Sequence, residues 1–127
     1  MRTLFRNLAN IQKTTAQVVN ANVSQPPWVA PSMLNSWVSY GSISYDPKYS
    51  KDEMGVVRLR GMIKSGTVTA AAFVLPAGYR PTQTIRFSVA SNSLFGMCTV
   101  DSSGNVVPQV GSNTSFSLEG VEFFAEA

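Results

Sequence analysis

Val57-Arg58-Leu59-Arg60-Gly61-Met62-Ile63-Lys64 alternates apolar and basic residues up to a glycine and closes on an Ile-Lys pair. A two-residue period belongs to extended chain, whose successive side chains point to opposite faces. The stretch predicts a half-buried strand. Val57, Leu59 and Ile63 face a core, while Arg58, Arg60 and Lys64 face water or a neighbouring subunit, with a phase shift allowed for near Gly61.

Around this strand the texture stays β. Upstream, Trp37-Val38-Ser39-Tyr40 and Ile43-Ser44-Tyr45 are rich in aromatic and branched residues. Downstream, strands are predicted over residues 67–75, 84–90, 95–100, 105–110, 115–118 and 121–124. Turn signals separate them, among them Pro76-Ala77-Gly78, Ser91-Asn92-Ser93, Asp101-Ser102-Ser103-Gly104 and Glu119-Gly120. About eight short antiparallel strands with no helix between them predict an all-β fold, a jelly-roll-like β-sandwich. Asp46-Pro47 and Lys51-Asp52-Glu53 read as polar loops. Between two core strands, Pro76 ends ladder donation, Gly78 permits positive φ and Pro81 presets the exit, so residues 75–81 form a rigid turn that carries Tyr79 and Arg80.

The beginning of the chain is different. Leu4, Leu8, Ile11, Thr15, Val18 and Asn22 recur at alternating spacings of four and three, the seam of a two-in-seven helix. A helix this short needs partners. Three readings stay open: a coiled coil with sister chains, an amphipathic helix lying on its own domain, or an extended anchor docked into another protein. Pro26, Pro27 and Pro31 cannot continue a helix. The boundary therefore separates an oligomerisation or anchoring segment, residues 1–27, from a β head, residues 28–127.

Composition narrows the chemistry. The 127 residues suit one domain, and the net charge of +3 is scattered rather than massed into the basic stripe that nucleic acid requires. Histidine is absent and Cys98 is the sole cysteine, so neither an internal disulfide nor the usual zinc ligand sets can form. No cofactor is expected. Cys98 sits in an apolar strand and reads as a buried thiol. Without an apolar run after Arg2 and Arg6, neither a signal peptide nor membrane insertion is expected, and the chain reads as one made and kept in the cytosol. Asp46, Asp52 and Glu53 are the candidates for a glycosidic carboxylate pair, but their loop contexts favour a non-enzymatic reading. Asp101-Ser102-Ser103-Gly104-Asn105 opens like a calcium loop, lacks the later ligands and reads as a hairpin turn.

Several stretches together resemble the head module of phage tail fibre and baseplate proteins. They are residues 34–41 (Leu-Asn-Ser-Trp-Val-Ser-Tyr-Gly), residues 49–66, Phe73-Val74-Leu75-Pro76-Ala77-Gly78-Tyr79-Arg80-Pro81, and Phe116-Ser117-Leu118-Glu119-Gly120-Val121-Glu122-Phe123. The resemblance spans roughly residues 28–126, and Leu-Pro-Ala-Gly-Tyr-Arg-Pro is its most specific part. Ser36 stands where that family commonly has Gly and Phe116 where it often has Trp, and the long shaft that usually precedes the head is replaced by some thirty residues. The resemblance implies a β-sandwich that trimerises at the distal end of a fibre and contacts cell-surface saccharide. Its implied partners are two sister chains, other virion proteins of tail, baseplate or capsid, and a bacterial surface saccharide. Trp37, Tyr40, Tyr79 and Arg80 are the candidate ligand or inter-subunit contacts, with packing inside the module as the competing role. Two functions follow as expectations: receptor binding, or an architectural decoration, spike or connector on the particle.

Overall fold

The computed structural model describes residues 26–41 and 43–126. The seam positions Leu4, Leu8, Ile11 and Val18 lie outside the described residues, and with them the choice between helix, coiled coil and anchor. Among the described residues there is no helix. Ten strands follow one another: β1 (Val38–Ser39), β2 (Lys48–Lys51), β3 (Val56–Arg60), β4 (Met62–Lys64), β5 (Phe73–Val74), β6 (Ile85–Ser91), β7 (Leu94–Val100), β8 (Asn105–Val110), β9 (Phe116–Ser117) and β10 (Glu122–Phe124). Every pairing is antiparallel, in three sheets ordered β1-β4-β9, β10-β3-β2 and β5-β8-β7-β6. The expected all-β architecture is present, with more strands and one more sheet than a simple sandwich.

The alternating stretch at residues 57–64 becomes two strands in two sheets, joined at Gly61. Val57, Leu59, Gly61 and Ile63 are all buried, so the alternation runs through the glycine and no phase shift occurs on this strand. The slip is on the opposite one. From Arg58 to Met62 is four steps, whereas their partners Glu122 and Ser117 are five steps apart, which places one extra residue on the β9–β10 side. The extra residue is taken up by the turn between β9 and β10, where Val121 N–H donates to Leu118 O at 3.4 Å. Gly61 turns the corner at φ +105, and Leu118 N–H donates to its carbonyl at 2.8 Å.

One core serves all three sheets. Trp37, Ile63 and Phe116 come from the first, Tyr49, Val57, Leu59 and Phe123 from the second, and Phe73, Val89, Cys98, Val100 and Val106 from the third. Burial of large aliphatic and aromatic side chains at about 1.5–3 kcal/mol each is what holds so many short strands together. Aromatic contacts bridge the seams: Tyr49 stacks on Phe73 at 6.5 Å, and Phe87 tilts against Phe123 at 6.3 Å. Gly66 is shaped to the core by absence, because a Cβ there would lie 2.1 Å from the Trp37 ring.

Three expectations need correction. Residues 67–75 are not one strand: only Phe73–Val74 pair, after a turn in which Ala70 N–H donates to Thr67 O and Thr69 is held at φ +81. Ile43-Ser44-Tyr45 is not strand, since Ser44 N–H closes a turn onto Gly41 O. Lys48–Lys51, passed over beside two polar loops, is a strand whose Tyr49 and Ser50 are buried between half-buried lysines. Lysine stems lie along apolar surface while their ammonium groups reach water, which disguises such a strand as a loop.

Candidate functional site

The residues singled out from sequence do not gather at one place. Trp37 is 1% exposed, donates its indole N–H to Thr67 O at 3.2 Å and packs on Phe116, so it offers no face to a ligand. Tyr40 is half-buried beneath Lys64, whose ammonium sits 5.6 Å from its ring. Tyr79 and Arg80 do ride on the fixed turn at residues 75–81, where Gly78 has φ +90, but both fold back onto the module. The Tyr79 ring meets Tyr49 edge-on at 5.3 Å with Lys51 Nζ over it, and Arg80 Nε–H donates to Leu75 O at 2.8 Å. Glu126 and Lys51 clamp the same turn, the first accepting from Gly78 N–H and the second donating to Gly78 O.

The acidic candidates have local tasks. Asp52 Oδ1 accepts N–H from Met54 and Val56, which closes the β2–β3 turn, and Oδ2 accepts from Arg58 at 2.8 Å. The Arg58 hydrogen bond, followed by the Val56 amide, holds the Asp52 carboxyl below its usual range. Asp46 accepts from Ser39 Oγ, while Glu53 is exposed. Asp101 accepts from the amides of Ser103 and Asn105 and so shapes the β7–β8 hairpin, as expected. Cys98 is fully buried, and desolvation pushes its thiol up to about 12.

A different set of residues builds a cleft at the Gly61 corner. The Arg60 guanidinium lies over two rings, 4.3 Å from the centroid of Trp28 and 4.6 Å from that of Tyr45. Tyr45 reaches this position because its carbonyl accepts Met62 N–H at 3.2 Å, and Trp28 because Val29 bridges to Tyr49 just beyond it. Glu119, on the extra-residue side of the corner, is held by Gly61 N–H at 3.0 Å. Two depressions share Tyr45 and Glu119. One of about 540 Å³ is floored by Ile43 and Met62, and one of about 320 Å³ runs from Trp28 to Arg58 and Glu122. Both volumes fall within the range of small-molecule sites. The Trp28 indole N–H and Arg60 Nε–H are buried here without an acceptor among the described residues. Groups of that kind are rare in folded proteins.

Sequence reasoning turned Arg60 toward water or a neighbouring subunit and gave Trp28, Tyr45 and Glu119 no binding role. Their ring, guanidinium and carboxylate come from separate loops and strands, and only the corner brings them together. The one available signal was Gly61 itself, a glycine inside an otherwise regular strand.

Among the described residues, three small antiparallel sheets around one core and no helix define an all-β module with an open cleft at the Gly61 corner. No protein-family model and no curated protein matches the sequence. The fold has a counterpart among solved structures: the receptor binding protein (gp15) of Listeria phage PSA, with a TM-score of 0.74 over 96% of this chain and 78% of that one, at 18% sequence identity. At that identity the likeness is one of fold.

Proposed function

We propose that this chain is the receptor-binding head of a bacteriophage tail fibre or tail tip, acting as a homotrimer that adheres to polysaccharide on the host surface. The observation that carries the reading is the fold likeness over nearly the whole chain to a phage receptor binding protein. Self-association has separate support. The outer face of the four-stranded sheet carries Val74, Phe95, Met97 and Val107 interleaved with Arg86, Ser88, Thr99, Asn105 and Gln109, and Phe95 is 62% exposed. A mixed face with an exposed aromatic at its edge is of the kind that subunit contacts use. A closed threefold ring covers it on every copy.

In this reading residues 1–27 fasten the trimer to tail, baseplate or capsid proteins, and the protein travels as part of the virion. It performs no reaction and uses no cofactor, nucleic acid or membrane insertion. Several heads on one particle turn weak single contacts into firm adhesion. Two measurements test it. Light scattering of the purified chain should give three times the chain mass, and the protein should compete with phage for adsorption to host cells. A monomer, or a trimer that binds no cell and leaves adsorption untouched, overturns the reading in favour of an architectural component.

A further inference from the structure

The geometry points to the Trp28–Tyr45–Arg60–Glu119 cleft as the place where a neutral sugar ring binds, an assignment that rests on the attachment reading above and gives it a site. A sugar ring needs an apolar plane for its C–H face and paired donors and acceptors for the hydroxyls around its edge. Tyr45 supplies the plane. Its ring lies against the Arg60 guanidinium, and with 63% of its surface exposed it keeps an open face toward solvent. The cation fixes the ring before anything binds, so little side-chain freedom is lost on binding. Ile43, 86% exposed, and Met62 extend the apolar floor next to it.

The polar groups are balanced in sign. Among the described residues, Arg58, Arg60, Glu119 and Glu122 line the smaller depression, two guanidiniums against two carboxylates. Such a rim offers donors and charged acceptors side by side, the pairing that vicinal hydroxyls satisfy. Glu119 keeps one oxygen on Gly61 N–H, which orients the other. Arg58 is already tied to Asp52 and Glu122, whereas Arg60 makes no ion pair among the described residues. This is also where the described residues leave two buried donors without acceptors.

The test uses the full chain with glucose, galactose, rhamnose and N-acetylglucosamine as probes at millimolar concentration, and glucuronic acid and glycerol phosphate as charged controls. Binding is followed by saturation-transfer-difference NMR and by tryptophan fluorescence. Tyr45→Ala removes an exposed ring and should leave the melting temperature unchanged. Arg60→Met keeps the stem but removes the cation, and Ser102→Ala in the exposed β7–β8 turn is the control. The expected result is binding of at least one neutral sugar, weakened roughly tenfold by Tyr45→Ala, the factor that 1.4 kcal/mol of lost contact represents. It should also be weakened by Arg60→Met and untouched by Ser102→Ala.

Neutral-sugar binding indifferent to both cleft variants, preference for the charged probes, or binding of none of the four sugars overturns the assignment. So does a Tyr45→Ala protein that loses its oligomeric mass, since the cleft is then a subunit contact. The two readings fail separately. If Tyr45→Ala and Arg60→Met still compete with phage adsorption as the wild type does, attachment stands and its site is elsewhere. If the wild type never competes, attachment itself has failed.

Discussion

Gly66→Ala isolates one steric demand of this fold, because Gly66 does not lie in the left-handed region and alanine fits its backbone. The added Cβ would sit 2.1 Å from Trp37 Cγ and Cδ2 and 2.4 Å from Cδ1. An ordinary carbon contact is about 3.6 Å, so the indole must withdraw by roughly 1.5 Å. It has little room, since Trp37 is 1% exposed and packs on Phe116 at 6.1 Å. Withdrawal also pulls its N–H from Thr67 O, now 3.2 Å away. Overpacking costs about 1–3 kcal/mol and an orphaned buried donor about 1–3 more, so a loss of about 3–4 kcal/mol is expected. That is a large part of the ~5–15 kcal/mol that holds a domain of this size.

Urea unfolding followed by far-UV circular dichroism measures the loss, and a double-mutant cycle identifies its cause. Trp37→Leu costs stability by itself, but it removes the ring that the new methyl strikes. In that background Gly66→Ala should cost less than about 1 kcal/mol, a coupling of roughly 2–3 kcal/mol. If Gly66→Ala unfolds within about 0.5 kcal/mol of wild type, or costs the same with and without the tryptophan, the steric account is wrong.

Three further outcomes follow from the same geometry. Asn92 and Ser93 close the β6–β7 hairpin at φ +49 and +63, a type I′ turn with no glycine, so Ser93→Gly should raise stability by about 0.5–1 kcal/mol in thermal or urea melts, and a loss would contradict the strain. Cys98 should resist thiol reagents in mildly alkaline solution until the protein unfolds, since burial pushes its thiol up to about 12; immediate labelling of folded protein would show that the site is open. Asp52 titrates below the ordinary aspartate range in the folded state, so it adds stability at neutral pH that is lost as pH falls through the folded value. Asp52→Asn should therefore unfold at lower urea than wild type near neutrality and converge with it in acid, and a constant gap across the titration would refute the linkage.

The sequence carried the β body well where period and partner agree. β6, β7 and β8 follow from alternation bounded by turn residues, and their pairing needed only the short hairpins that join them. It carried less where tertiary contacts decide. Residues 67–72 have the branched residues of a strand, yet Thr69 at φ +81 donates its N–H to Pro108 O, a contact that only the folded sheet supplies. The candidate site was largely illegible for the same reason. Tyr79 and Arg80 looked like a platform because their turn is rigid, but rigidity does not say which way a side chain folds. Trp28, Tyr45, Arg60 and Glu119 are spread over some ninety positions, and no local pattern links them.

What links them is the corner. At Gly61 an added Cβ would strike the Asp46 carbonyl carbon and oxygen at 2.6 Å and the Pro47 Cα at 2.7 Å, so the segment carrying Tyr45 lies directly on the bend. On the other side, the turn between β9 and β10 brings Glu119 to Gly61 N–H at 3.0 Å. The three walls of the cleft are thus hung on one glycine: Arg60 by adjacency, Tyr45 by backbone contact, Glu119 by a hydrogen bond. A regular strand would place Arg60 on a solvated face and Glu119 opposite it, with no room for the loop to cross. The break that carries the chain from one sheet to the next is the same event that assembles the cleft. Its walls are therefore as rigid as the fold, while Ile43 and the open face of Tyr45 remain free to vary without disturbing the core.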